Sequence, residues 1–115
     1  MKDNIIQKKT FSFALRIINL YKYLKDTKRE FVISKQLLRS GTSIGANVEE
    51  AIGGQSRVDF VSKLSVAYKE ARESAYWVRL LGEAGYLSKK ESDSLTQDLD
   101  EILRIIGRIQ KTIKK

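Results

Sequence analysis

Residues 95–113 read LTQDLDEILRIIGRIQKTI. Within them Leu95, Leu99, Ile102, Ile106, Ile109 and Ile113 recur at alternating spacings of four and three, the period of an α-helix that buries one narrow seam. The same spacing appears upstream, in Ile6, Thr10, Phe13, Ile17, Leu20 and Leu24, and again in Phe60, Leu64, Ala67, Ala71, Ser74, Val78 and Leu81. Three such seams can line one core. The stretch between them, from Arg39 to Asn47, is rich in Gly, Ser and Thr and poor in helix formers. Ile33, Leu37, Ile44, Val48 and Ile52 nevertheless hold a helical period across it, so it is read as a fourth helix. Its small residues, with Ala67, Ala71 and Ser74 on the next segment, would let two backbones approach closely, and these two helices are expected to be the closest pair.

Helix boundaries follow from capping chemistry. A Ser or Thr able to cap free amide hydrogens precedes an acidic residue by three at Thr27–Glu30, Ser56–Asp59 and Ser88–Glu91, and Asn4 precedes Gln7 in the same way. Gly53-Gly54 and Gly85 supply residues that tolerate a left-handed helix end. The expected helices are about 4–26, 28–52, 56–84 and 88–113. At 1.5 Å per residue each would be on the order of 35–40 Å long, with connections of a few residues that force antiparallel neighbours. The expected fold is all-α, an antiparallel up-down-up-down four-helix bundle spanning residues 1–115 as a single domain. A long helical hairpin that swaps or dimerises is the alternative.

Composition narrows the chemistry. The chain has 115 residues, no Pro, 7 Gly, and 42% apolar against 31% charged residues, which permits long helices and argues against wholesale disorder. It has no Cys and no His. Disulfides, thiolate nucleophiles, common zinc sites, Ser-His-Asp triads and the Glu-x-x-His di-iron pattern are therefore excluded together. No catalytic residue, metal ligand or cofactor is assigned, and the expectation is that the protein is not an enzyme. The run from Phe13 to Leu24 is broken by Arg16, Asn19 and Lys22 and is not a signal-peptide core. No apolar run is long enough to span a bilayer, so a cytoplasmic protein without membrane contact is expected. A formal charge of +8 favours polyanionic partners: RNA, DNA or an acidic protein surface.

Two polar constellations stand out. Gln36, Ser40, Ser43, Asn47 and Glu50 form one helical stripe with Arg39 beside it. This reads as a structural hydrogen-bond network, with Arg39 paired to Glu70 or Glu73 of the next helix, or as a subunit contact. Glu49, Glu50, Glu70 and Glu73 could offer oxygen ligands to a divalent cation, but no loop or ligand count is defined, and salt bridges are the better reading. Arg104, Arg108, Lys111 and Lys115 repeat opposite the last apolar seam, with Lys114 adding to them. They form an outward basic stripe, a candidate nucleic-acid contact. Lys8, Lys9, Arg16, Lys22 and Lys25 make the first segment basic as well. Tyr21, Tyr23, Tyr68, Tyr76, Trp77 and Tyr86 could stack on bases, although aromatic residues on bundle helices more often complete a core or an interface.

The sequence also carries a family resemblance, in Phe13-Ala14, in Gln36-Leu37-x-Arg39-Ser40-x-x-Ser43-Ile44-x-x-Asn47-x-Glu49-Glu50, in Asp59-Phe60, and in Ala67-x-x-Glu70-x-x-Glu73. It resembles the bacterial four-helix-bundle family encoded in intervening sequences of 23S ribosomal RNA genes. The motifs run from about Asn4 to Leu87, with only helical patterning beyond. The resemblance implies a bundle that assembles into a ring-like homo-oligomer, a pentamer. One branch, the accessory variability proteins of diversity-generating retroelements, binds a reverse transcriptase and contacts nucleic acid through a basic surface. The family has Glu-Gly where this chain has Glu50-Ala51, so Gly53-Gly54 would take over any helix-ending role. The leading expectation is an oligomeric, non-enzymatic bundle that recruits RNA, DNA or a nucleic-acid enzyme. A purely protein-binding scaffold is the alternative, and an enzyme working with carboxylates would need an enclosed pocket of converging Glu and Arg side chains.

Overall fold

The structure is a computed structural model and describes residues 4–113. Four helices follow in order: α1 (Ile5–Asp26), α2 (Ile33–Ile52), α3 (Arg57–Glu83) and α4 (Lys89–Ile113). Each packs on its sequence neighbour, and α4 returns to α1 to close the ring. The bundle measures 44 × 22 × 20 Å, with all four helices packed together within one chain rather than as an open hairpin.

The seams read from the sequence form the core. Every α1 seam residue from Ile6 to Leu24 is buried, as are Leu64, Ala67, Ala71, Ser74, Val78 and Leu81 of α3 and Leu95, Leu99, Ile102 and Ile106 of α4. Phe60, Ile109 and Ile113 are only partly buried, because they lie where the bundle opens at one end. On α2 the period holds through Leu37, Ile44 and Val48, but Ala51 is buried and Ile52 is 39% exposed. Asn4, Ser56 and Ser88 each accept the amide hydrogen three residues on, all at 3.1 Å.

The expected start of α2 at residue 28 is corrected. The Thr27 amide still donates to Tyr23 O at 2.8 Å and Thr27 keeps a helical backbone, so it ends α1 and cannot also begin the next helix. The chain then turns through Arg29, whose φ is 57°. Glu30 takes the capping role: its carboxylate accepts from the amides of Val32, Ile33 and Ser34 at 3.1, 2.9 and 2.6 Å. Burial by itself would raise the Glu30 carboxyl, but these donors, with the Ser34 hydroxyl, outweigh it and hold the group below its ordinary value.

Two further corrections concern glycines. Gly85 adopts the left-handed conformation expected of it, with φ 88°, whereas Gly53 ends α2 at φ −83°. Gly54 is needed for space instead, since a Cβ there would lie 3.2 Å from Ala51 O and from Asp59 Cβ. α2 and α3 do share the most extensive contact. The α2 glycines, however, serve α1: a Cβ on Gly41 would sit 3.0 Å from Ile17 Cγ1, and one on Gly45 would sit 3.3 Å from Thr10 O.

Candidate nucleic-acid interface

The polar stripe of α2 is turned mainly toward α3. Arg39 donates to Glu70 Oε1 at 3.1 Å and also pairs with Glu73 Oε2. Trp77 Nε1 donates to the same Glu73 oxygen at 2.9 Å. The Trp77 and Arg39 hydrogen bonds lower the Glu73 carboxyl below its ordinary value against a smaller opposing effect of burial, and the Glu73 bond in turn raises the Arg39 guanidinium. One residue further along each helix, on the inward side, the Ser40 and Ser74 hydroxyls meet at 2.8 Å, fully buried. Asn47 Nδ2 donates to Ser43 O within α2 at 2.8 Å, Glu50 pairs with Lys63 at 2.9 Å, and Gln36 is exposed. The geometry is that of a clamp between two helices. A general base needs a pKa brought toward the working pH, and Glu73 is moved the other way.

The four carboxylates do not converge on a cation. Glu70 and Glu73 share Arg39, Glu50 faces Lys63, and Glu49 accepts from Gln7 Nε2 of α1 at 2.9 and 2.8 Å. Among the described residues no group of three or more potential metal-ligating acids gathers anywhere.

The basic residues fall into two classes. Those of α1 facing α4 are matched to carboxylates: Lys9 to Glu101 at 3.1 Å, and Arg16 to Asp98 at 2.8 Å and Glu91 at 3.6 Å, with Ser94 accepting from Arg16 as well. These pairs bridge α1 and α4, the neighbours with the least extensive contact. The sequence reading treated α1 as a basic surface and missed this latch. The signal was present in Glu91, Asp98 and Glu101, spaced seven and three on α4 opposite Lys9 and Arg16, spaced seven on α1. By contrast, Arg104, Arg108 and Lys111 stand exposed on the outer side of α4, and among the described residues none forms an ion pair. Lys114 and Lys115 lie outside the described residues.

Arg108 also rims an open apolar groove of about 630 Å³ at the end of the bundle, floored by Ile6, Val48, Phe60, Leu64, Ile105 and Ile109. Of the aromatic residues, Tyr68, Trp77 and Tyr86 pack partly against the core, while Tyr76 is 55% exposed. Lys69, Arg72 and Arg79 are exposed on α3, a set that the sequence reading did not gather. Among the described residues no helix is long and apolar enough to cross a membrane.

The sequence matches the family of 23S rRNA-intervening sequence proteins over residues 2–108, which carries the likeness through most of α4, beyond the reach of the motifs. The fold is similar to the crystal structure of a protein of unknown function from the S23 ribosomal protein family of Bacteroides thetaiotaomicron VPI-5482. That likeness has a TM-score of 0.93 and 50% identity over 96% of this chain and 99% of that one. No curated protein matches the sequence. Neither the family description nor that of the similar structure names an enzymatic activity.

Proposed function

The chain belongs to the 23S rRNA-intervening sequence protein family, and from that premise we propose a non-catalytic bundle that recruits nucleic acid through the outer face of α4. The observation that supports this reading is the contrast in ion pairing. Lys9, Arg16, Arg39 and Lys63 are each matched to a carboxylate, while Arg104, Arg108 and Lys111 have no such partner among the described residues and face solvent on one line. Such a row neutralises phosphates and releases counterions, which yields affinity without sequence preference. A nucleic-acid enzyme with an acidic surface, such as the reverse transcriptase implied by the retroelement branch, would use the same row.

The test is binding to a structured RNA and to duplex DNA over a salt series, with oligomeric state followed by light scattering. Replacing Arg104, Arg108 and Lys111 together by Gln should lower the slope of log K against log salt by about 2–3 for the duplex. No binding by the unaltered protein at low salt would refute the reading.

A second reading, a protein-binding scaffold, has its own support. Phe11, Leu15 and Ile18, spaced four and three on the side of α1 away from its core seam, are 63%, 51% and 38% exposed. Burying them against another copy would build the homo-oligomer, a ring of five in the form that the resemblance implies. On this reading Phe11→Ser with Leu15→Ser yields a folded monomer by light scattering, and an unchanged mass would count against it.

A further inference from the structure

The outer side of α3 carries cations that no carboxylate among the described residues engages. Lys69, Arg72 and Arg79 are exposed and form no ion pair among the described residues. With Tyr76 they are spaced three, four and three, so Lys69, Arg72 and Tyr76 share the face turned away from the buried Ala67, Ala71, Ser74 and Val78. Arg79 continues the line at the edge of the α3–α4 groove. Tyr76, more than half exposed, has a fixed neighbour: its ring meets that of Trp77 edge-on, with centroids 5.2 Å apart and planes at 67°. Trp77 is itself tied to Glu73. The α3–α4 register is set by Ser65 against Gln110 and by Tyr68 against Gly107. Counting along the antiparallel pair from there brings Arg72 level with the turn of α4 that carries Arg104.

We infer that Lys69, Arg72, Tyr76 and Arg79 form a binding site for single-stranded nucleic acid, in which one base stacks on Tyr76 and the cations on either side hold the flanking phosphates. The inference rests on the reading of α4 as a polyanion-binding face and extends that face onto α3. Residues three or four apart on a helix are about 5–6 Å apart, so the stripe offers cation, cation, ring and cation in one row about 15 Å long. A row of that length spans a few nucleotides. A duplex keeps its base faces stacked on one another and cannot offer one to a tyrosine, whereas a single strand can. The cations therefore serve either form, and the exposed ring selects the single strand.

The experiment uses the full chain with a fluorescent oligothymidine of fifteen nucleotides and a fifteen-base-pair duplex, read by anisotropy, while emission of Trp77, the single tryptophan, reports on the ring beside it. Tyr76→Ala leaves the charge unchanged. It should weaken oligothymidine binding about tenfold, leave duplex binding as it was, and abolish the change in Trp77 emission on binding, while Tyr76→Phe keeps the affinity. Equal loss on both probes, or no loss on oligothymidine, overturns the site on α3. Replacing Arg104, Arg108 and Lys111 by Gln in parallel separates the two readings. If that variant loses the duplex while Tyr76→Ala has no effect on oligothymidine, the α4 face stands and the α3 site falls. If the unaltered protein binds neither probe, both fall.

Discussion

Replacing Glu30 tests whether one buried carboxylate starts α2. In Glu30→Ala the amides of Val32, Ile33 and Ser34 lose their acceptor, and although Glu30 itself is only 8% exposed, Val32 beside it is 68% exposed, so water replaces the carboxylate only in part. Loss of a side-chain cap costs about 1–2 kcal/mol, and hydrogen bonds to a charged group are worth about 1.5–3 kcal/mol. Because one carboxylate serves all three donors these contributions overlap, and the expected loss is about 2–4 kcal/mol. Glu30→Gln keeps an oxygen but not the charge and should cost about half as much. Urea unfolding monitored by circular dichroism measures both, with the slope m unchanged if only stability has moved. The pH dependence adds a second readout. Since the folded-state carboxyl lies below its ordinary value, its stabilisation is complete above the usual carboxylate range of about 4.3. It is lost as pH falls through the folded value. The stability gap between the unaltered protein and Glu30→Gln should therefore narrow on acidification below about pH 4. A Glu30→Ala protein within about 0.5 kcal/mol of the original, or a gap that stays constant from neutral to acid pH, would refute the reasoning.

Two further stability predictions follow from the helix contacts. Ser40→Ala should cost about 1–2 kcal/mol by leaving the buried Ser74 hydroxyl without its 2.8 Å partner; adding Ser74→Ala should recover most of that loss, and strict additivity in a double-mutant cycle would contradict the pairing. Gly41→Ala and Gly107→Ala should differ in sign. The first places a methyl 3.0 Å from the buried Ile17 and destabilises by about 1 kcal/mol despite its better helix propensity, while the second meets only Tyr68 Cε1 at 3.9 Å and stabilises by up to about 1 kcal/mol in thermal unfolding.

Helical seams are a local, one-dimensional property, which is why the spacing of Ile6 to Leu24, Leu64 to Leu81 and Leu95 to Ile106 was enough to define the fold class and most of the core. Short-range chemistry served equally well where donor and acceptor are three residues apart, as at Asn4, Ser56 and Ser88. It failed at Thr27, because the same Ser/Thr-to-acid spacing can fall at the end of one helix as easily as at the start of the next, and only the completed α1 ladder decides between them. The exposure of Arg104, Arg108 and Lys111 opposite the apolar seam of α4 was also legible, since that face belongs to one helix. Tertiary structure alone decided which cations are already used. Lys9 and Arg16 look as available in the sequence as Arg104 and Arg108, yet the rotation and register of α1 against α4 bring them onto Glu91, Asp98 and Glu101, carboxylates more than seventy residues further along the chain. Rotation and register are set by the whole core at once, so no single helix encodes the pairing across the seam.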